Sequence, residues 1–295
     1  MNREPDWNLY RSFLAVLEEG TLSGAARRLG LTQPTLARHL EALEQAIGTQ
    51  LFLRSPRGLA PTATAQELRP HAQTLATTAA ALLRTASGSA SEVRGTVRIS
   101  ASDVVGAEHL PPILTGLRAR HPGLVVELAL TNAVENVLAR AADIAVRMVA
   151  PEQEALVARP LPPIRLGLHA HRRYVERRGL PADLDALGGH DLIGFDRETP
   201  AIRAALARYP MLGRAAFALR TDSDLAQLAA IRAGFGIGIC QVPIARREPD
   251  LVPVLADAFA LDLPVWIVMH EDLKTSRRHR AVFDALAEGL RSLGP

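Results

Sequence analysis

The chain has 295 residues, a net charge of +3 and 48% hydrophobic residues, which suits about two domains and excludes wholesale disorder. Lys274 is its only lysine and Cys240 its only cysteine, so the charge is carried by arginine, no intramolecular disulfide can form, and a cysteine-built zinc site is disfavoured. The opening "MNREPDWNLY" has no apolar signal core and no apolar run approaches the ~20 residues needed to cross a bilayer, so the expectation is a soluble, cytoplasmic protein.

From Trp7 to Glu18, Leu9, Tyr10, Phe13, Leu14, Val16 and Leu17 form one helical stripe, ended by Gly20. Ser23 is expected to cap a second, short helix with Ala25, Ala26 and Leu29 inward. Gly30 supplies the turn. Thr32 caps a third helix with Pro34 in its first turn, and Leu36, Leu40, Leu43 and Ile47 make its core stripe. This pair of helices packs a core or places the third helix in a DNA groove. The polar opening "TQPT" sits at the end that reaches base edges in a helix-turn-helix, and Arg38 and His39 follow one turn later on the expected non-core face.

"LFLR" and "LAPT" read as two strands joined by "SPRG", a wing with Arg54 and Arg57 placed for phosphate or minor-groove contact. A long helix over about 64–87 carries Leu68, Leu75 and Leu82 at heptad spacing, with Ala72 and Ala79 between. Pro70 kinks it or marks its start. The seam suits pairing with a second chain, since the helix has little else to pack on. "SGSASE" (87–92) reads as a linker.

Beyond residue 95 short apolar runs alternate with helical stretches: "TVRIS", "GAEHLPPILTGLRARHPG", "LVVELALT", "ENVLARA" and "DIAVRM". A second series runs from "IRLGL" through "DLIGF", "AAFALRT", "DLAQLAAIRAGF" and "GIGICQVP", then "LPVWIVMH" and a closing helix over 277–293. The alternation implies an α/β fold with parallel pairing, as two subdomains about a cleft. Ligands in such sheets bind at strand carboxyl ends. The positions there are Ser100, Ser102, Asp103, Thr131, Asn132, Arg147, Phe195, Thr221, Asp222 and Ser223. Each has a plainer alternative: Ser102 or Asp103 caps a helix, Thr131 and Asn132 form a turn, Phe195 is core. Arg147 pairs with Asp143 or clamps a ligand carboxylate. Cys240 reads as a buried small hydrophobe. "HAH" (169–171) is a weak metal candidate, and "GFGIG" (234–238) follows a helix rather than opening one, against dinucleotide binding. No G-x-x-x-x-G-K-[ST], H-E-x-x-H or G-x-S-x-G occurs, so no enzyme, metal or cofactor is expected.

The stretch "FLAVLEEGTLSGAARRLGLTQPTLARHLEALEQAIGTQLFLRSPRGLAPTATA" (13–65) resembles the winged helix-turn-helix of LysR-type transcriptional regulators. "DIAVR", "AGFGIGICQVP" and "WIVMH" extend the resemblance, more loosely, over the rest of the chain. Ala37, Leu53 and Ala65 depart from the family's usual serine, aspartate and glycine. The resemblance implies a winged helix-turn-helix over 1–63, a dimerisation helix over 64–90 and an effector-binding domain over 91–295. That domain resembles a periplasmic binding protein, with one subdomain at about 91–163 and 267–295 and the other at about 164–266. It also implies Gln33, Pro34, Thr35 and Arg38 at the major groove, and Ser23, Thr32, Arg54 and Arg57 on phosphates. The implied partners are double-stranded DNA, a small-molecule effector such as a carboxylate or other metabolite, and further copies of the chain, as a dimer or tetramer. A non-specific architectural DNA binder, or a solute-binding or enzymatic α/β protein, is the alternative.

Overall fold

The computed structural model describes residues 4–55, 58–86, 93–132, 142–151 and 156–294. The expected wing turn at Pro56 and Arg57, the linker at 87–92 and the helix "ENVLARA" lie outside the described residues. The chain forms two compact units, one ending at residue 86.

In the first unit, α1 (Trp7–Glu19) starts where the Asp6 carboxylate accepts the Asn8 N–H at 2.8 Å, and it ends at Gly20, φ 67°. Helix α2 (Leu22–Leu29) is capped by Thr21, whose hydroxyl accepts the Gly24 N–H at 3.2 Å. Ser23 is therefore not the expected cap; it lies exposed inside the helix. Gly24 permits this arrangement, since a Cβ there would stand 2.9 Å from the Thr21 hydroxyl. Helix α3 (Gln33–Ile47) opens on Thr32, which accepts the Thr35 N–H at 3.3 Å. Leu36, Leu40 and Leu43 are buried against Phe13, Val16, Ala25 and Ala26. Ile47, expected in this stripe, is 38% exposed. The chain turns at Gly48, and Leu51 and Phe52 fill the core instead.

The wing pairs β1 (Phe52–Ser55) with β2 (Gly58–Pro61), antiparallel. Two contacts seat it. The Glu44 carboxylate on α3 accepts the N–H groups of Leu51 (2.7 Å) and Phe52 (3.2 Å). The Leu59 N–H donates to the Gly20 carbonyl at 2.9 Å. The second contact requires Gly58: its φ is +122°, and a Cβ would stand 2.6 Å from the Gly20 oxygen.

Helix α4 (Ala63–Ala86) begins seven residues before Pro70, so the proline does not mark its start. Its first turns do find something to pack on. Ala65, Leu68 and Ala72 join the first unit's core, and Arg69 Nη2 donates to the Leu17 carbonyl at 3.4 Å. Further along, Leu75 and Leu82 are 45% and 65% exposed.

The second unit contains β3 (Gly95–Ala101), α5 (Asp103–Glu108), α6 (Leu110–Arg120), β4 (Leu124–Leu130), β5 (Ile144–Arg147), β6 (Leu156–His171) and α7 (Arg172–Arg178). It continues with β7 (Leu192–Gly194), α8 (Pro200–Leu206), β8 (Phe217–Arg220), α9 (Asp224–Arg232), β9 (Ile237–Gln241) and α10 (Val242–Ala245). Strands β10 (Leu251–Val254) and β11 (Leu261–His270) and helix α11 (Arg277–Arg291) close the chain. The strand order is β4-β3-β5-β11-β6-β9-β7-β8, with β10 beside β6. Pairing is parallel among β4, β3 and β5 and among β8, β7 and β9, but β6 and β11 run antiparallel to their neighbours. The sheet is therefore mixed, not parallel as the alternation implied.

The difference comes from "LVARPLPPIRLGLHAH", one 16-residue strand that its prolines conceal. Residues 156–161 pair with 265–270, and 164–166 with 261–263. The register shifts between, opposite Pro162 and Pro163. The boundaries expected at 163/164 and 266/267 thus fall inside two strands that serve both halves. One half is centred on Ile99, Ile144, Ile267 and Leu286. The other is centred on Tyr174, Leu192 and Phe259, with Leu228, Ile231 and Ile244 beside them.

Away from the strands, side chains tie the halves together. Arg232 on α9 makes a fork with Glu108 on α5, both bonds 2.8 Å, and also binds Glu248 at 2.5 Å. The same fork holds Glu108 below the ordinary carboxylate value. Arg247 donates to the Glu108 carbonyl at 3.2 Å. His109 Nε2 and Gln241 Oε1 meet at 2.7 Å.

Two predictions follow from these contacts. Glu44→Ala should lower the stability of the first unit by about 2 kcal/mol and Glu44→Gln by less, because a charged acceptor of two N–H groups is lost or only weakened. Urea melts followed by circular dichroism check this, and an unchanged midpoint for Glu44→Ala would refute it. Burial pushes His109, against its Gln241 bond, and His169 below the ordinary value of 6.5. The fold keeps both neutral while the unfolded chain protonates, so their contribution is complete above about pH 6.5 and lost as the pH falls through the window below it. His109→Asn should lose less stability than the parent between about pH 7.5 and 5.5 in urea melts.

Candidate functional site

Two surfaces carry the residues singled out by the sequence. On the first unit, α3 presents its N-terminal end. Gln33, Pro34 and Arg38 are exposed and Thr35 is half-exposed. The Thr32 and Thr35 hydroxyls meet at 2.9 Å, which fixes the first turn. No acidic residue stands in that turn, so the positive end of the helix is not neutralised. Ser23 is exposed on α2, beside Arg27 and an Arg28 that pairs with Glu18 and Glu19. The backbone of Arg54 pairs with Leu59 in the wing, while Arg57 lies outside the described residues. His39 does not share the exposed face with Arg38. Its Nδ1 meets the buried Ser12 hydroxyl of α1 at 2.8 Å, because position 39 follows the core stripe around the helix.

The second surface is a cavity of about 620 Å³ in the second unit. That volume suits a small organic molecule. Ser102, Thr131, Asn132 and Arg147 line it from one half, and Phe195 and Asp222 from the other. Leu166 and Leu263, on the two crossing strands, line it too. Val104, Val149, Ile202, Leu228, Ile239 and Ile244 make most of the wall apolar. Ser102 occupies the N-cap position of α5 but makes no capping bond there.

The other strand-end candidates stand behind this wall. Ser100 is buried and accepts from Arg147 Nη2 at 2.9 Å. The Asp103 N–H donates to Asn132 Oδ1 at 3.0 Å. Thr221 Oγ1 accepts the Ser223 N–H at 3.2 Å, and Ser223 caps α9 through the Ala226 N–H at 3.3 Å. Those four support the wall rather than form it.

Several lining residues were not among the strand-end candidates. Arg197 Nε donates to Asp222 Oδ2 at 2.6 Å, which holds the Asp222 carboxyl below its ordinary value. Asp224 opens α9 and accepts from Asn132 Nδ2 at 2.8 Å. Burial pushes its carboxyl above the ordinary value, an effect that the Asn132 bond opposes and that Asp103 and Asp222 reinforce. Gln227 and Gln241 line the cavity while only 5% and 7% exposed. The one signal available for Asp224 was its place at the start of a helix that follows a strand.

Cys240 also lines the cavity, and burial pushes its thiol up to about 12. His169 Nδ1 lies 3.1 Å from the Gly167 carbonyl, and His171 Nδ1 accepts the Arg173 N–H at 3.1 Å, so both rings serve the fold. Among the described residues no cluster of three or more His, Cys, Asp or Glu could hold a metal ion, and no helix is long and apolar enough to cross a membrane.

Comparison with known proteins finds a match for each unit. Residues 7–66 match the family model described as "Bacterial regulatory helix-turn-helix protein, lysR family", and residues 90–291 match "LysR substrate binding domain". A probable HTH-type transcriptional regulator LtrA of Klebsiella pneumoniae is 27% identical over 99% of this chain and 96% of its own. A probable hydrogen peroxide-inducible genes activator of Mycobacterium avium is 41% identical, but over only 40% of this chain and 38% of its own length. The structure of full-length CbnR with its target DNA has a TM-score of 0.67 at 20% identity, covering 96% of this chain and 99% of that one, a likeness of fold. With a family match spanning far more than half of its residues, the chain belongs to the LysR family of bacterial transcriptional regulators, which join a DNA-binding helix-turn-helix to an effector-binding domain.

Proposed function

We propose that α3 reads DNA through Gln33, Pro34, Thr35 and Arg38, and that a small molecule in the 620 Å³ cavity modulates that binding. The observation that carries the first part is the exposed, acid-free N-terminal turn of α3, held by Thr32 and followed by Arg38. Gln33 suits adenine and Arg38 suits guanine or a phosphate. Ser23 and the wing arginines, Arg54 and Arg57, serve as phosphate contacts. Thr32 acts chiefly as the helix cap. His39 supports α3 through Ser12 and is not a DNA contact.

The cavity is the effector site, and its occupant selects one arrangement of the two halves. Work on chromosomal DNA puts the protein in the cytoplasm, as a regulator and not an enzyme. The exposed Leu75 and Leu82 of α4 suit pairing with a second copy, the minimum needed to address two half-sites.

The name of the Mycobacterium avium relative raises a thiol switch as a second reading. Cys240 does not favour it. The thiol is buried and its pKa is pushed up to about 12, so it supplies little thiolate at neutral pH.

The DNA reading is tested by fluorescence anisotropy with DNA from directly upstream of the protein's own gene and unrelated DNA of equal length, at two salt concentrations. A Gln33→Ala/Arg38→Ala variant should lose about 10- to 100-fold in affinity for the specific site and keep its salt-dependent background. Equal binding to both DNAs, unchanged in the variant, would refute the assignment of α3 and favour an architectural role. The thiol is tested with a disulfide-exchange reagent: Cys240 should stay unreactive in the folded protein and react fully in denaturant. Fast reaction of the folded protein would reopen the switch.

A further inference from the structure

The charged groups on the cavity wall are not equivalent. Arg197 and Asp222 engage each other. Asp222 Oδ2 takes the guanidinium at 2.6 Å, and Oδ1 takes the N–H groups of Asp196 (3.2 Å) and Arg197 (2.9 Å). Arg147 is buried and donates to Ser100 Oγ at 2.9 Å and to the Val146 carbonyl at 3.1 Å. Asp224 has no such cation among the described residues. Its hydrogen-bond partner is the neutral amide of Asn132, on Oδ2. That amide is shared: Asn132 Nδ2 also lies 3.4 Å from Asp103 Oδ2, and Asn132 Oδ1 accepts the Asp103 N–H.

A second, independent feature lies on the same wall. Gln227 is 5% exposed and donates its Nε2 to the Thr221 carbonyl at 2.8 Å. Its Oε1 takes no hydrogen bond among the described residues, and the residue lines the cavity. The two acceptors come from one helix, since Asp224 and Gln227 are three residues apart on α9 and so share a face. Of the helices whose first turns line the cleft, α5 and α9 carry an acid there, Asp103 and Asp224, whereas α8 and α10 carry none. At that part of the wall the acids oppose the positive ends of α5 and α9. A ligand carboxylate placed beside Asp224 would meet like charge at low dielectric. A ligand N–H⁺ would meet a carboxylate and an amide oxygen, with apolar wall for the rest of the molecule.

We propose that the effector is an apolar molecule bearing a protonated amine or similar basic nitrogen, which Asp224 and Gln227 Oε1 receive. This rests on the cavity being the effector site. A carboxylate was one of the effector classes expected from the sequence; Asp224, without a cationic partner among the described residues, favours a cation instead.

The test uses the full chain and three probes of one shape: 3-phenylpropylamine, 3-phenylpropan-1-ol and 3-phenylpropanoate, titrated calorimetrically at neutral pH. The amine should bind about tenfold or more tighter than the alcohol, as a charge-assisted hydrogen bond contributes. Asp224→Asn should abolish that preference and Asp224→Glu should keep it, with circular dichroism showing both variants folded. Tightest binding by the carboxylate, or an amine preference that survives Asp224→Asn, would overturn the ligand class and leave the cavity as the effector site. Amine binding that survives Leu228→Trp, which fills the cavity, would overturn the proposal by placing the amine elsewhere. Binding by none of the three would overturn the cavity reading and the ligand class together.

Discussion

The antiparallel pairing of β6 with β11 is the constraint on which the second unit depends. Each half has its own parallel strands and its own core, and these two strands run through both. The cavity exists because strand ends from both halves converge where the crossing occurs, with Leu166 and Leu263 of the crossing strands lining it. The ladder is weakest at one place. Pro162 and Pro163 cannot donate, and there the register shifts between Leu263 and Val265. With its bonds interrupted there, this is the stretch of the ladder where a change in relative orientation costs least.

Away from that weak stretch, the halves are held by side chains whose geometry favours arginine. A planar guanidinium can serve two carboxylates at once, and Arg232 does so with Glu108 from one half and Glu248 from its own. The site is partly exposed, so the bridge contributes less through bulk stability than through orientation. Without it, Glu108 and Glu248 would face each other as like charges. The Asn132–Asp224 bond adds a weaker tie at the cavity itself, with one partner from each half. A ligand that competes for Asp224 therefore acts on a contact that already couples the halves. Only its differential affinity for the two arrangements would move the population.

Local rules made much of this structure legible. The caps at Thr32 and Gly30, the α3 stripe and the wing all depend on neighbours within a few residues. Strand-end logic found Ser102, Thr131, Asn132, Arg147, Phe195 and Asp222 on the cavity wall, because chain direction alone puts carboxyl ends there. What escaped it was decided at long range. Thr21 and Ser23 are equivalent caps by residue type, and the space beside Gly24 chooses between them. His39 looks like an exposed companion of Arg38 until Ser12, 27 residues away, provides its partner. The prolines of β6 conceal the strand because nothing local reveals that pairing is interrupted just where they stand. Ser100 lies behind the wall because the Arg147 side chain reaches back to it. Asp224 and Gln227 become recognisable only when α9 is seated against the cleft.

The same physical feature is used in two opposed ways along the chain. A helix N-terminus carries free N–H groups and a partial positive charge. In α3 that end is exposed, capped by the neutral Thr32 and free of acids, so it remains attractive to the phosphates of a DNA backbone. In α5 and α9, which begin at the cleft beside Asn132, the corresponding positions are acidic, so the helix field is answered from within the chain, whereas α8 and α10 begin at the same cleft without an acid. The cleft keeps, at Asp224, a carboxylate without a cationic partner among the described residues. A carboxylate in that setting raises its own proton affinity, as Asp224 does, unless a positive charge arrives. On the proposed reading, selectivity for the sign of the ligand's charge rests on Asp224, independently of how well the apolar wall fits the rest of the molecule.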